Sequence, residues 1–122
     1  MFEILVRSQF SAAHQIRGYG GKCEVLHGHN WIIEATAHNP DVGKDGMLMD
    51  FSELKKKLNR VLETLDHKFI NELPEFKDIN PTSENIARFV FKKLKALLEA
   101  ENVSLKSISV WETDTSCATY FE

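Results

Sequence analysis

The sequence has few cysteines, no strongly basic run and no long apolar stretch, and each of these absences excludes a class of protein. Two cysteines in 122 residues are too few for the disulfide framework of a small secreted protein. No apolar stretch approaches the roughly 20 residues that a membrane-spanning helix needs. The net charge is −3, so neither nucleic acid nor a membrane is an expected partner. Residues 1–10 lack the features of a secretory signal, and we expect a cytoplasmic protein.

The composition and the hydrophobic periodicity predict one small globular domain. Hydrophobic residues make up 43% of the chain and charged residues 27%, which is typical of soluble proteins, and the length suits one domain over residues 1–122. Alternating apolar residues predict strands at 2–14, 27–37, 104–112 and about 116–121. Helix-start signals occur at Asp50 and at Thr82 or Ser83. The order ββααββ predicts an α+β fold, an antiparallel sheet with two helices on one face.

Three histidines fall where these strands would bring them together. His27 and His29 are two residues apart on a predicted strand, so both side chains face the same way, toward the side that also carries Trp31. His14 ends the first strand and meets them if the two strands form an antiparallel hairpin. Three imidazoles without a fourth protein ligand are typical of a catalytic zinc site. The alternative is a set of core histidines hydrogen-bonded to their neighbours; the pair with a third histidine favours the metal.

Three further positions carry reactive side chains, and each has a plainer interpretation. Cys23 lies four residues before His27, and the spacing leaves open a fourth metal ligand, a thiolate activated by a nearby metal, or an inert thiol. Asp66 and His67 form either a proton-transfer pair or a solvated helix end. Glu112 falls on the buried side of the third strand, where it either forms a salt bridge or binds adjacent N–H donors of a ligand ring. The second cysteine, Cys117, is expected to be buried and inert.

Five ordered motifs then identify a resemblance that covers essentially the whole chain. They are Phe10-Ser11-Ala12-Ala13-His14, Cys23 to His29, Leu65-Asp66-His67, Pro81-Thr82-Ser83-Glu84-Asn85 and Trp111-Glu112-Thr113. With these motifs the chain resembles the 6-pyruvoyltetrahydropterin synthase and 6-carboxytetrahydropterin synthase family. The resemblance implies the tunnelling fold (T-fold), whose subunit is ββααββ, and a homohexamer of two stacked trimers with active sites at subunit interfaces.

The same resemblance implies a role for each matching residue. It makes Zn²⁺ the cofactor and 7,8-dihydroneopterin triphosphate the substrate. The implied zinc ligands are His14, His27 and His29, the catalytic thiol is Cys23, and the acid–base partners are Asp66 and His67. The implied pterin contacts are Glu112 with Thr113 beside it, and Thr82 and Ser83 from a neighbouring subunit. Basic candidates for binding the triphosphate are Arg7, Arg17, Lys22 and Lys68.

The product depends on the loop that carries Cys23 and Glu24. The cysteine form of the family predicts a zinc-dependent lyase that yields 6-carboxy-5,6,7,8-tetrahydropterin, a precursor in the queuosine direction, with 6-pyruvoyltetrahydropterin as the alternative. A glutamate at the position of Glu24 is associated in the family with side-chain cleavage to 6-hydroxymethyl-7,8-dihydropterin, a folate precursor. Because the chain has both Cys23 and Glu24, it resembles a combined form that acts in both directions; the alternative is that Glu24 is only an exposed loop acid. A hypothesis of another class is a non-catalytic, zinc-stabilised oligomer that binds a purine-like or pterin ligand. The set of Cys23, Asp66 and His67 argues against it, because a binding protein needs no proton relay.

Overall fold

The computed structural model describes residues 1–18 and 25–122, so the predictions for Lys22, Cys23 and Glu24 lie outside the described residues. The elements are, in order, β1 (Phe2–His14), β2 (His27–Asn39), α1 (Phe51–Leu62), α2 (Ser83–Leu97), β3 (Ser104–Thr113) and β4 (Ser116–Tyr120). Two short 3-10 helices, Ile70–Glu72 and Pro74–Phe76, lie between α1 and α2. The predicted order ββααββ is confirmed.

The four strands form one antiparallel sheet in the order β1-β2-β3-β4. In the first hairpin His14 lies opposite His27, and Ala12 lies opposite His29. The predicted pairing of the first two strands is therefore present, and its register places the three histidines at one end of the sheet.

The hydrophobic core lies between the two helices and one face of the sheet. Alternate residues of β1 and β2 point into it, among them Phe10 and Trp31, whose rings stack with centroids 5.1 Å apart. From the helices, Leu58 and Leu94 are completely buried, and burial of each such side chain contributes about 1.5–3 kcal/mol. His14 continues the buried row of β1, which explains why only 1% of it is exposed.

Both helices begin with the capping interaction that the sequence predicts. Asp50 accepts a hydrogen bond of 2.8 Å from the Ser52 backbone N–H, and Thr82 accepts one of 3.1 Å from the Asn85 N–H. Thr82, not Ser83, is thus the N-cap of α2. None of the helices in the described ranges is long and apolar enough to cross a membrane.

Cys117, which the sequence predicts to be buried, is exposed, and so is the apolar side chain of Phe51. Cys117 is an exposed free thiol, because β4 is an edge strand and Cys117 points away from the helices, whereas its neighbour Ala118 pairs with buried Val110. Phe51 is 62% exposed, since it is the first residue of α1 and precedes the turn that packs on the sheet.

Candidate metal centre and active site

The three histidines and Glu112 converge at the end of the sheet. The hairpin brings His14 to His27 and His29, and the adjacent β3 supplies Glu112 close to its end. One ligand atom from each of these four side chains lies within 4.8 Å of all the others. The structure therefore brings together the three predicted ligands and adds a carboxylate to them.

Hydrogen bonds fix how two of the imidazoles present their nitrogens. His14 Nδ1 lies 2.8 Å from the Pro81 carbonyl oxygen, and His27 Nδ1 lies 2.6 Å from the Val25 carbonyl oxygen. A carbonyl oxygen only accepts, so both Nδ1 atoms carry the proton and both Nε2 atoms carry a lone pair. These Nε2 atoms are 2.9 Å apart. Two lone pairs at this distance repel each other, and a cation bound by both nitrogens would remove that repulsion.

The third imidazole has a buried nitrogen in need of a partner. Glu112 Oε1 lies 2.9 Å from His29 Nε2 and 3.4 Å from His14 Nε2. The carboxylate does not complete a hydrogen bond with His29, so within the described part of the chain His29 Nε2 has no hydrogen-bond partner. Buried polar atoms are normally paired. Three imidazole nitrogens with a nearby carboxylate oxygen suit zinc, whose usual protein ligands include both groups.

Burial keeps His14 and His29 in the neutral form that binds a metal. It is the main cause that lowers the pKa of His14, and the neighbouring His27 lowers it further, while the hydrogen bond to Pro81 opposes the shift. Burial also lowers the pKa of His29, with Glu112 acting in the opposite direction. Both rings are therefore neutral at neutral pH, and their lone pairs are available.

Asp66 and His67 form a second polar group just beyond α1. The Ser11 backbone N–H donates to Asp66 Oδ1 over 2.9 Å, and this bond is the main cause that lowers the pKa of Asp66. Asp66 Oδ2 lies 3.0 Å from His67 Nδ1, and the His67 side chain is 83% exposed. His67 has a φ of 58°, a left-handed conformation that is uncommon for residues other than glycine. The carboxylate thus orients an accessible imidazole that is held by a strained backbone.

Two cavities show which residues share a space with the histidines. A cleft of about 570 Å³ is lined by His29, His67 and Lys68, among others. A second cavity, of about 210 Å³, is lined by His14, Ile16, His27, Thr82, Ser83, Glu84 and Glu112. Thr82 and Ser83 therefore lie beside the histidines of their own chain. Thr113 lies elsewhere, in a cavity with Arg7 and Trp111, because alternation along β3 points it away from Glu112.

Comparison with known proteins identifies the family. The family model described as 6-pyruvoyl tetrahydropterin synthase matches residues 3–122 of the chain. The chain belongs to this family. A 6-carboxy-5,6,7,8-tetrahydropterin synthase of Synechocystis is 40% identical over 99% of this chain and 94% of its own length. A dihydroneopterin monophosphate aldolase of Pyrococcus furiosus is 36% identical over 89% of this chain and 88% of its own.

A solved structure of the 6-pyruvoyl tetrahydropterin synthase family has the same fold. The 6-pyruvoyl tetrahydropterin synthase of Caenorhabditis elegans superposes with a TM-score of 0.90, at 29% sequence identity, over 99% of this chain and 95% of that one. The predicted T-fold is therefore confirmed.

The basic residues proposed from the sequence to bind the triphosphate differ in whether they are already paired within the chain. Arg7 is paired with Glu34 at 2.8 Å. Arg17 Nη2 donates to the carbonyl oxygens of Phe76 and Ile79 over 2.7 and 2.6 Å. Lys68 lines the cleft with His29 and His67, and no acidic partner is found for it among residues 1–18 and 25–122.

The sequence did not reveal the backbone groups that orient these side chains. The Pro81 carbonyl is 67 residues from His14, and the Ser11 N–H is 55 residues from Asp66. A backbone carbonyl or N–H has no signature in the sequence. Only the helix-start signal at Pro81 and Thr82 marked this part of the chain as well defined.

Proposed function

We propose that this protein is a zinc-dependent lyase that converts 7,8-dihydroneopterin triphosphate and one water molecule to 6-carboxy-5,6,7,8-tetrahydropterin, with release of triphosphate and acetaldehyde. The observation that carries the proposal is that three imidazoles place one ligand nitrogen each within 4.8 Å of one another. One of them, His29, also borders the cleft that His67 lines. The 6-carboxy product is supported by the Synechocystis relative, which matches nearly the whole chain.

In this proposal the protein side chains bind the metal and the pterin ring. His14, His27 and His29 hold Zn²⁺, which when bound would act as a Lewis acid on the side-chain hydroxyls of the substrate and lower their pKa. Glu112 binds the amino-pyrimidinone edge of the ring through its two carboxylate oxygens. Thr82 and Ser83 line the cavity next to Glu112 and offer hydroxyl groups for further ring contacts.

Proton transfer is assigned to Cys23 and to the Asp66–His67 pair. Asp66 is held as a carboxylate by the Ser11 N–H and keeps the His67 Nδ1 proton in place, so that Nε2 is the atom that takes up and returns a proton. Cys23, in its thiolate form, is the complementary base. No redox cofactor is required, because the electrons that reduce the pterin ring come from oxidation of the substrate's own side chain.

The triphosphate is assigned to Lys68. Lys68 lines the same cleft as His29 and His67, whereas Arg7 and Arg17 are already engaged in hydrogen bonds within the chain. A compact cation close to the acid–base pair suits the binding of a phosphate chain as it leaves.

The proposed assembly is a cytoplasmic homohexamer of two stacked trimers with active sites at subunit interfaces. It is supported by the resemblance of the five motifs and by large apolar side chains that are exposed on the single chain, among them Leu5, Leu26 and Phe121, at 49%, 57% and 69%. Exposed apolar surface of this kind is typical of protein interfaces.

Cys23→Ala is the variant that tests the assigned chemistry. We expect it to bind zinc as the wild type does and to lose turnover of 7,8-dihydroneopterin triphosphate, as measured by metal analysis and by mass spectrometry of the products. Loss of zinc would instead identify Cys23 as a metal ligand and contradict its role as a base.

The second candidate function is side-chain cleavage to 6-hydroxymethyl-7,8-dihydropterin, with Glu24 as the base. The Pyrococcus relative, named as an aldolase, supports it. Glu24→Ala should selectively reduce any hydroxymethyl product in the same assay, whereas an unchanged product ratio would make Glu24 only a loop acid.

A further inference from the structure

Where the chain leaves β1 after His14, two asparagine side chains bind its backbone. Asn71 accepts a hydrogen bond of 2.8 Å from the Gln15 N–H and donates one of 2.7 Å to the Gln15 carbonyl. Asn80 accepts one of 2.8 Å from the Arg17 N–H and donates one of 2.9 Å to the Arg17 carbonyl. Each amide therefore satisfies both backbone polar groups of one residue, as a peptide group of a neighbouring strand does.

Because Asn71 is buried, its amide must keep both hydrogen bonds to Gln15, and this requirement fixes the position of the backbone. His14, 1% exposed, and Asn71, 9% exposed, are the buried polar residues in the described part of the chain. Burial of an amide costs free energy unless its hydrogen bonds are replaced, and here both replacements come from Gln15, the residue next to His14. A side chain of this kind fixes one position of the backbone, whereas an apolar side chain would tolerate several.

Asn80 is also linked to His14 through the backbone, by way of the residue that follows it. The next residue, Pro81, accepts the hydrogen bond from His14 Nδ1 over 2.8 Å. The backbone carbonyl of Asn80 in turn accepts a hydrogen bond of 2.9 Å from the Asn85 side chain in the first turn of α2. Two consecutive residues thus hold both the backbone after His14 and the imidazole itself, which closes a ring of contacts from His14 through Arg17, Asn80 and Pro81 back to His14.

We propose that Asn71 and Asn80 are positioning residues of the metal centre. By fixing residues 15–17 against the segment before α2, they hold the His14 ring with Nδ1–H directed at Pro81 and Nε2 directed at His27. The inference rests on the zinc-binding part of the proposed function and adds the residues that orient one ligand. Loss of such an outer contact typically weakens metal binding by about 10- to 100-fold.

The test is the zinc dissociation constant of Asn80→Ala, measured without substrate by competition with a chromophoric chelator. We expect binding about 10- to 100-fold weaker than in the wild type. Asn80 is only partly buried, so this variant keeps the fold even where Asn71→Ala does not. Asn39→Ala is the matched control: Asn39 also donates to a backbone carbonyl, that of Asp41 at 2.9 Å, but at the far end of β2, and its loss should leave zinc affinity unchanged.

A second readout separates positioning from general stabilisation. In the metal-free proteins, long-range ¹H–¹⁵N NMR should show the Nδ1–H tautomer of His14 in the wild type and in Asn39→Ala, and a mixture of tautomers in Asn80→Ala. If Asn80→Ala melts at a lower temperature but binds zinc as tightly as the wild type and keeps the tautomer, Asn80 only stabilises the fold and the inference is wrong. Failure of the wild type itself to bind zinc would overturn the proposed function and the inference with it.

Discussion

At the scale of single residues, Glu112 occupies a position that suits two roles. Its carboxylate lies within 3.4 Å of two imidazole nitrogens, as a metal ligand would, and it borders the cavity that Thr82 and Ser83 line, as a ring-binding group would. The two roles differ in what the protein loses when the charge is removed.

Glu112→Gln should keep zinc and lose substrate affinity. Three imidazoles are a sufficient ligand set for catalytic zinc, whereas the adjacent N–H donors of a pterin ring need two acceptor oxygens. A hydrogen bond to a charged group contributes about 1.5–3 kcal/mol, so kcat/KM should fall by roughly tenfold or more. Metal analysis and steady-state kinetics measure the two effects separately. Glu34→Gln, on the opposite face of the sheet, is the control for removal of a carboxylate. If Glu112→Gln loses zinc and Glu34→Gln does not, Glu112 is a metal ligand.

The buried histidines predict how the stability of the metal-free protein depends on pH. The pKa values of His14 and His29 are lowered in the folded state, mainly by burial, whereas an unfolded histidine titrates near 6.5. Below about pH 6.5 the unfolded chain therefore binds more protons than the folded protein, and the free energy of unfolding falls as the pH is lowered. His14→Gln should make this dependence shallower in urea titrations between about pH 7 and 5. If the free energy of unfolding of the variant depended on pH as steeply as that of the wild type, His14 would not be a source of the pH dependence.

At the scale of secondary-structure elements, the sequence predicted the order and the pairing of the strands but not their surroundings. The alternation around His27 and His29 was sufficient to place both side chains on the covered face, because a strand has a strict period of two. The contacts of Asn71 and Asn80 could not be predicted, since they join residues 56 and 63 positions apart through a segment of short 3-10 helices without hydrophobic periodicity.

The two helix caps provide a matched pair of variants. Asp50→Ala and Thr82→Ala each remove the N-cap hydrogen bond of one helix, and each should lower the free energy of unfolding by about 0.5–2 kcal/mol. Only Thr82 lines the cavity with His14 and His27, so only Thr82→Ala should also lower kcat/KM. Urea denaturation and steady-state kinetics of both variants measure these effects. If kcat/KM of Thr82→Ala equals that of the wild type, Thr82 only caps the helix and does not contribute to the reaction.

At the scale of the whole molecule, the resemblance of five motifs was more informative than the composition. The length and charge alone permitted many functions, whereas the motifs spread from Phe10 to Thr113 led to the family that the family model confirms over residues 3–122. Cys23 and Glu24, which determine the product in the proposal, lie in the one stretch outside the described residues. The product is therefore assigned from the sequence motif and from the named relatives.

The proposed hexamer predicts the mass of the protein in solution. Light scattering coupled to gel filtration should give six times the chain mass of 14.0 kDa, because the exposed apolar side chains of the single chain become buried between subunits. A mass equal to that of one chain would contradict both the assembly and the placement of active sites at interfaces.

The most direct test of the central claim is the reaction of the zinc-loaded wild-type protein with 7,8-dihydroneopterin triphosphate, with all products resolved by mass spectrometry and acetaldehyde measured in parallel. The proposed lyase yields 6-carboxy-5,6,7,8-tetrahydropterin, triphosphate and acetaldehyde in equal amounts, and the same protein stripped of metal yields none of them. Unchanged substrate in the presence of bound zinc would contradict the enzymatic function, and 6-hydroxymethyl-7,8-dihydropterin as the main product would contradict the proposed reaction.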